Sequence, residues 1–557
     1  VVCRRQRQMC IRDRDKAAHH VNCGIVAIEK ARSSDNTNRP CRGFEHWCLI
    51  RHAPTEHSFI HHDTVGIKGL EVWTPTMRPR WVMTPEEVAI LDANAEALGA
   101  NMDELMITSA EHLANALEGA SKPIWILCGP GNNGGDGFRL AQMLDECYVI
   151  ASHEKQKTTL SQRARNDWNG LIHTVDNLPE NPPATIVDCL LGAGSYGQPR
   201  GEILRLMESI PGRPLVLACD MPTGCGSGVA FNAFRTVTYE APKTNMIDSN
   251  GRLLPEVGDL FVLPVGWPEG TLDPGPGDML RYPHPKPNQI KGDRGRVLVV
   301  GGGPYHGAPI LAGMAAARMG VDLVHVAMPS NAALKAKWPS ELIHEKISDD
   351  EILTDVSTIV TRCLTGRGVN AIVIGPGLGA DPSTIESVKL LLQSTPNIPK
   401  VIDADAIKAL DGWPEELIGI ITPHQKELEN WVGNIENVPE MLSNSGENRV
   451  VIRTGPEDII IGSAGRGGIG KGGNPRMSMG GTGDLLAGCL GGLLALGLSP
   501  WGAARLGIYL MRKAGEMAGN EIGPGLVAED IPQFLSRSLI TGPVLLHPPT
   551  VEDPFSS

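Results

Sequence analysis

Residues 472–488 read GGNPRMSMGGTGDLLAG, a glycine-rich turn that passes through one carboxylate, Asp484, into an apolar helix. Gly480, Gly481 and Gly483 let the backbone approach an anion closely, and a helix beginning near Asp484 aims its unpaired N–H groups and positive dipole end at the same point. A carboxylate there would repel a phosphate. It is well placed to take the proton from a hydroxyl about to attack one. The competing reading is a packed turn in which Asp484 merely caps the helix.

Working outward, the chain from residue 291 reads KGDRGRVLVVGGG, then YHGAPILAGMAAARMG (305–320), GPGLG (375–379), VIDADAIKAL (401–410) and TPHQKELENWVG (422–433). Short apolar runs at 297–300, 371–374, 400–402, 419–421 and 450–452 each end in a glycine-rich or polar loop, which predicts strands of an α/β sheet alternating with helices. Ala312, Gly313, Ala315 and Ala316 predict a small-residue helix over 310–319 that lies close against a sheet or a ligand.

The order and spacing of these motifs resemble the ADP- or ATP-dependent NAD(P)H-hydrate dehydratases, a ribokinase-like family, over residues 290–540. The resemblance implies that Ala308, Gly379, His424 and Asp484 meet the hydrated nicotinamide nucleotide. Arg453, Thr454, Gly455, Pro456, Glu457 and Gly483 would contact the adenine nucleotide, although the family usually has Lys-Gly where this chain has Arg453 and Thr454. By itself His424 reads equally as a core or capping histidine. The implied chemistry is phosphorylation of the ring hydroxyl by ADP (or ATP) with Mg²⁺, Asp484 acting as base, followed by loss of phosphate.

Ahead of this unit, residues 84–118 are helical in pattern, and 124–128 form a short strand followed by GPGNNGGDG (129–137) and a helix over 138–144. Strand, glycine-rich loop and helix suit a nucleotide or phosphate site at the edge of a parallel sheet. The loop is not the GxGxxG fingerprint, and its amide and carboxylate oxygens suit an alkali cation or ribose hydroxyls. The alternative is an Asn/Asp-rich turn. Strands over 185–191, 215–220 and 237–243 carry Asp188, Asp220 and Lys243 at or near their ends, so these residues should gather on one sheet edge.

GPGNNGGDG, VDCLLGAGSYGQPRGE, CDMPTG and APK are together similar to the NAD(P)H-hydrate epimerase family, which has a Rossmann-like fold, over residues 83–264. Carried across, Asn132, Asn133, Gly134, Gly135 and Asp136 would contact the hydrated nucleotide. Gly192, Ala193, Gly194, Ser195, Tyr196, Gly197 and Gln198 would contact its phosphates. Asn133, Asp188 and Thr223 would hold potassium, with Thr223 standing where the family commonly has Ser. Asp220 is the candidate acid/base and Lys243 an electrostatic helper. The segment after Thr223, GCGSGVAFNAF, is short and apolar for the family.

The expected architecture is therefore α/β throughout: an N-terminal Rossmann-like three-layer domain (83–264), a Pro-rich linker (265–289), a ribokinase-like domain (290–545) and a tail (546–557). Seven prolines over 264–287 predict a semi-rigid spacer that holds the two units apart. The expected function is repair. One half interconverts R and S hydrates of NADH and NADPH, and the other dehydrates the S form, yielding AMP (or ADP) and phosphate. The alternative is a ribokinase-like small-molecule kinase joined to a non-catalytic nucleotide-binding domain.

Residues 1–82 stand apart. They hold five of the 12 cysteines and seven of the 16 histidines, with 14 basic against 8 acidic side chains, while the rest carries 36 against 55. So acidic a body is expected to repel nucleic acid and anionic membrane. His57 and His61 have HxxxH spacing without a CxxC partner, so zinc is not expected. The segment has no signal-peptide run and is expected to be disordered or non-native, with the natural start at Met83 or Met77. The remaining cysteines lie mostly in apolar runs, as buried thiols in a reducing compartment do. A cytoplasmic protein working on small-molecule nucleotides, as a homo-oligomer, is the expectation.

Overall fold

The computed structural model describes residues 71–73, 82–443 and 445–540. Most of the 1–82 segment and the 546–557 tail lie outside these. The first sheet comprises β1 (Glu71–Trp73), β2 (Ile124–Cys128), β3 (Tyr148–Ala151), β4 (Ile172–His173), β5 (Thr185–Cys189), β6 (Leu215–Cys219), β7 (Arg235–Tyr239) and β8 (Asp259–Leu263). Its order is β1-β8-β7-β6-β5-β2-β3-β4, parallel except for β1 against β8. Alternate side chains of β2 enter different cores, with Ile124, Ile126 and Cys128 on one face and Trp125 and Leu127 on the other. A strand buried on both faces reads as an unbroken apolar run, as IWILC does.

Its helices are α1 (Pro85–Ala97), α2 (Met102–Ala116), α3 (Asn132–Met143), α4 (Thr159–Asp167) and α5 (Gly201–Glu208). The expected single helical stretch over 84–118 is two helices. Gly99, at φ 89°, turns the chain, and Asn101 caps the second helix by accepting from Asp103 N–H. The expected loop before residue 138 is also corrected, because α3 begins at Asn132. Its glycines serve packing there: a Cβ on Gly134 would lie 1.9 Å from the Gly129 carbonyl oxygen.

The second sheet comprises β9 (Arg296–Val300), β10 (Leu323–Met328), β11 (Leu342–Lys346), β12 (Ala371–Ile374), β13 (Lys400–Ile402), β14 (Gly419–Ile421), β15 (Arg449–Arg453), β16 (Asp458–Ile461) and β17 (Gly467–Gly470). The order is β11-β10-β9-β12-β13-β14-β15-β16-β17, parallel up to β15 and antiparallel beyond. Val297 and Val299 face one core, Leu298 and Val300 the other. The helices are α6 (Ala308–Arg318), α7 (Ser330–Lys335), α8 (Ser357–Leu364), α9 (Pro382–Ser394), α10 (Gln425–Val432), α11 (Val438–Met441), α12 (Thr482–Ala495), α13 (Pro500–Ile522) and α14 (Ile531–Ser538). The small residues of α6 let it meet α12: a Cβ on Gly488 would lie 1.9 Å from the Ala312 carbonyl oxygen. Both units are thus α/β with parallel sheets, as expected.

The Pro-rich stretch does not act as a spacer. Asp278 is fully buried and receives Nε and Nη2 of Arg505 on α13 at 2.8 and 3.0 Å, with Arg281 Nε at 2.9 Å. Arg281 also donates to Glu87 on α1, whose carboxylate accepts the Trp501 indole N–H at 3.3 Å. Asn94 of α1 donates to the carbonyls of Thr271 and Asp273 and accepts from Gly277 N–H. Composition reported the prolines but not these partners on α1 and α13, which lie 177 or more residues away in sequence. Among the described residues no helix is long and apolar enough to cross a membrane, and seven cysteines are free.

Candidate functional site

Each sheet reverses its strand order once. In the first, the chain runs outward from β2 through β3 and β4, then returns to lay β5 beside β2. Such a reversal places the loops after β2 and β5 side by side at the carboxyl edge, where open α/β sheets bind ligands. The loop after β2 is residues 129–131, which lead into the NNGGDG start of α3, and the loop after β5 carries the GAGSYGQ run. In the second sheet the same reversal lies between β9 and β12, bringing GGGPYHGAP and GPGLG together.

In the first sheet Asp220 follows β6 with φ 62°, in a three-residue turn closed by Met221 N–H on the Cys219 carbonyl at 2.7 Å. Such a backbone is strained for a residue with a Cβ, and strain of this kind gathers at functional sites. The carboxylate is held from both sides. Ala193 N–H donates to Oδ2 at 2.8 Å, while Oδ1 takes Thr238 Oγ1 at 3.2 Å and pairs with Lys243 Nζ at 3.1 Å. Lys243 also donates to Thr238 Oγ1 and to the carbonyls of Tyr239 and Ala241, each at 2.9 Å. Almost wholly buried, it positions Asp220 from behind.

Asp188 is 0% exposed, and among the described residues no basic side chain pairs with it. Thr223 donates to it through N–H and Oγ1, both at 2.7 Å, and Leu190 N–H does so at 3.2 Å. Burial pushes its pKa up to about 6 against the pull of these bonds. Asn133 reaches the adjacent Cys219 carbonyl at 3.3 Å. Asp136 sits against Cys219 Sγ at 3.8 Å, and burial, then the charge of Asp220, holds its carboxyl well above the usual range.

A cavity of about 390 Å³ opens beside this group, lined by Gly192, Ser195, Tyr196, Gly197, residues 224–227 and Asn245. It gathers half of the expected phosphate loop. Asn132, by contrast, turns its side-chain oxygen to Thr158, and Gln198 donates to the Ser227 carbonyl. Asp92 on α1 escaped the sequence reading. Burial pushes it to about 6, with the charge of Lys243 pulling it down and that of Asp220 pushing it up, so Asp92 and Asp220 share one lysine.

At the second site α12 starts at Thr482 behind Gly481, whose φ of 99° and missing side chain leave the first N–H groups without a side-chain cap. Asp484 is therefore not the N-cap. It stands half-buried in the first helical turn, and burial pushes its pKa up to about 6. Gly480 and Gly483 have open space where a Cβ would be. Ala308 opens α6, and Gly379 lies so close to Pro304 that a Cβ would stand 2.8 Å from its ring.

His424 is the N-cap of α10. Its Nδ1 accepts from Lys426 and Glu427 N–H, while Glu427 returns a bond to His424 N–H. The capping role is the one observed, and Nδ1 as acceptor leaves the proton of a neutral ring on Nε2. Arg453 ends β15 with a buried Nε that has no partner among the described residues, and Thr454 N–H donates to the Pro423 carbonyl at 2.9 Å.

Two further residues shape this site. Arg512 of α13 pairs with Asp458 at 2.6 Å and donates to the carbonyls of Gly455, Pro456 and Gly472, clamping the expected nucleotide loop. Nothing near Arg512 in sequence announces this. A cavity of about 210 Å³ adjoins the clamp, lined by Pro274, Pro276, Gly470, Lys471, Tyr509 and Lys513 among others, and it does not include Asp484. Asp403, the first carboxylate of the DAD run, accepts Thr422 Oγ1 at 2.7 Å and precedes Ala404 at φ 50°. Burial pushes it up to about 8, with the charges of Asp484 and Glu427 adding to the rise. The DAD spelling was the available signal.

The family described as NAD(P)H-hydrate dehydratase matches residues 297–537, and that described as YjeF-related protein N-terminus matches 102–245. The bifunctional NAD(P)H-hydrate repair enzyme Nnr of Hyperthermus butylicus is 31% identical over 500 residues, covering 82% of this chain and 92% of that relative. Its counterpart in Methanothermobacter thermautotrophicus is 31% identical over 507 residues, covering 83% and 96%. A solved ADP/ATP-dependent NAD(P)H-hydrate dehydratase from Bacillus subtilis, co-crystallised with ATP/Mg²⁺, is 24% identical, covers 46% of this chain and 94% of its own, and has a TM-score of 0.40.

Proposed function

Because this chain belongs to the bifunctional NAD(P)H-hydrate repair enzyme family, we propose that its first unit interconverts the R and S hydrates and its second returns the S form to NAD(P)H. The observation that carries the reading is that each sheet has one strand-order reversal and is accompanied by one strained or desolvated carboxylate: Asp220 after β6 of the first, Asp484 at the start of α12 with the second. Two sites for one damaged metabolite belong together, since dehydration alone would strand the R epimer.

In the first site Asp220 is the acid/base at the hydrated ring carbon, and its two-sided hydrogen bonding fixes where the proton is given or taken. Asn133, Asp188 and Thr223 would hold a potassium ion. All three offer hard oxygens, and a buried carboxylate without a counter-charge fits a monovalent cation. Such an ion would neutralise Asp188 and stiffen the loops after β5 and β6.

In the second site Asp484 takes the proton from the ring hydroxyl as its oxygen attacks the terminal phosphoryl group of ADP or ATP. The uncapped start of α12 receives the negative charge that develops, and phosphate then leaves where hydroxide could not. Arg453 and the loop clamped by Arg512 would hold the donor nucleotide. Mg²⁺ carried on the donor phosphates would shield charge there. The charges of Asp484 and Glu427 acting on buried Asp403 support such a cation, while among the described residues no group of three acidic or metal-binding side chains forms a closed metal site. The free, mostly buried thiols among the described residues support a cytoplasmic setting.

Asp220→Asn is expected to slow epimerisation about 100-fold. The same variant should still release one phosphate for each S hydrate converted to NADH. A stable phosphoester product instead of free phosphate would mark a small-molecule kinase.

A further inference from the structure

Of the six tyrosines, Tyr196 and Tyr305 are the two exposed ones, at 61% and 66%. Each stands on a loop at one of the strand-order reversals, Tyr196 after β5 and Tyr305 after β9. Neither ring meets another ring or a cation among the described residues, whereas exposed Phe234 has Arg235 over its face at 5.4 Å. A single exposed apolar side chain needs no explanation. The same side chain at both reversals of an otherwise aromatic-poor chain does.

The backbones beneath these rings are held. A Cβ on Gly377 would lie 2.2 Å from the Tyr305 carbonyl oxygen, so the loop after β12 presses directly on the loop that carries the ring. Tyr196 lines the 390 Å³ cavity, and the carbonyl of its neighbour Ser195 accepts from Asn245 Nδ2 at 3.4 Å. The rings are far more exposed than the reacting carboxylates. The Asp220 side chain is only 15% exposed, and Asp484 is half-buried. A dinucleotide with its reacting ring at either carboxylate has its adenine left to place further out.

We propose that the rings of Tyr196 and Tyr305 are the adenine platforms of the two sites, each stacking on the purine of the NAD(P)H hydrate, with only the backbone of the 192–198 loop left to the phosphates. Both halves thereby grip the same substrate by the end remote from the chemistry, with a rigid ring that loses little conformational freedom on binding. The assignment rests on the proposed reading that NAD(P)H hydrates are the shared substrate. Base–aromatic stacking of ordinary strength corresponds to roughly a tenfold change in affinity.

The test uses the full chain with Tyr305→Ala and Tyr305→Phe in the dehydratase assay, and Tyr196→Ala and Tyr196→Phe in the epimerase assay. Each is run on the hydrate of NADH and on the hydrate of reduced nicotinamide mononucleotide, which lacks adenosine. The expected result is a KM for the NADH hydrate raised about tenfold by Ala and restored by Phe, with kcat unchanged, and no effect of Ala on the mononucleotide hydrate. Equal losses on both substrates, a loss carried in kcat, or no effect of Ala on the NADH hydrate would overturn the platform while leaving the repair reading in place. Failure of the unaltered protein to convert either hydrate would remove both.

Discussion

Asp484→Ala is expected to lower nucleotide-dependent dehydration about a thousandfold and to leave epimerisation at its original rate. The magnitude is that of a general base removed from a proton transfer, and the selectivity follows from Asp220 standing in a separate sheet. A cap could be lost with little effect on chemistry, but Asp484 is not the N-cap of α12; Gly481 is. The pH profile supplies a second reading of the same group. Burial pushes the Asp484 pKa up to about 6, and only the ionised form accepts a proton, so the rate should rise with pH and level off above about 6. Asp484→Asn should abolish that limb along with the activity. Retained dehydration in either variant contradicts the assignment.

Asp278→Ala is expected to cost about 3–5 kcal/mol of stability, read as a shift in the urea midpoint of the full chain. Asp278 is fully buried between the guanidinium groups of Arg505 and Arg281, which are themselves almost without solvent. Removing it strands two buried positive charges. Arg505→Met made on top of Asp278→Ala should cost much less than Arg505→Met alone, because the pair is then already broken. Burial alone would raise the Asp278 pKa, but the charges of Arg505 and Arg281 outweigh it and hold the carboxyl below the usual range. This stabilisation is therefore present in full above the unfolded value near 4 and is lost as the pH falls through the folded value. A loss below about 1 kcal/mol would mean the junction is not held this way.

The chemistry-bearing parts of both sites were legible because they are local. Glycine runs, strand-end carboxylates and the turn into α12 each occupy a few consecutive residues, and the strands over 371–374, 400–402 and 419–421 lie where the apolar runs put them. The start of α3 was not legible, since NNGGDG has turn composition and only its contact with Gly129 shows why glycine suits a helix there. Arg512 and Arg505 were invisible for a different reason. Both are ordinary basic residues seven positions apart on α13, so they share a face, and their meaning comes from Asp458 and from Asp278 in the Pro-rich stretch. A proline count describes a chain's stiffness. It cannot say that the same chain carries the buried carboxylate joining two domains.

The most direct test is recovery of reduced-nicotinamide absorbance from a mixture of R and S hydrates of NADH, with Mg²⁺, potassium and either ADP or ATP. Two working sites predict complete recovery, faster than the R form epimerises unaided. Recovery that stops at the S fraction, or none with either nucleotide, would contradict the account.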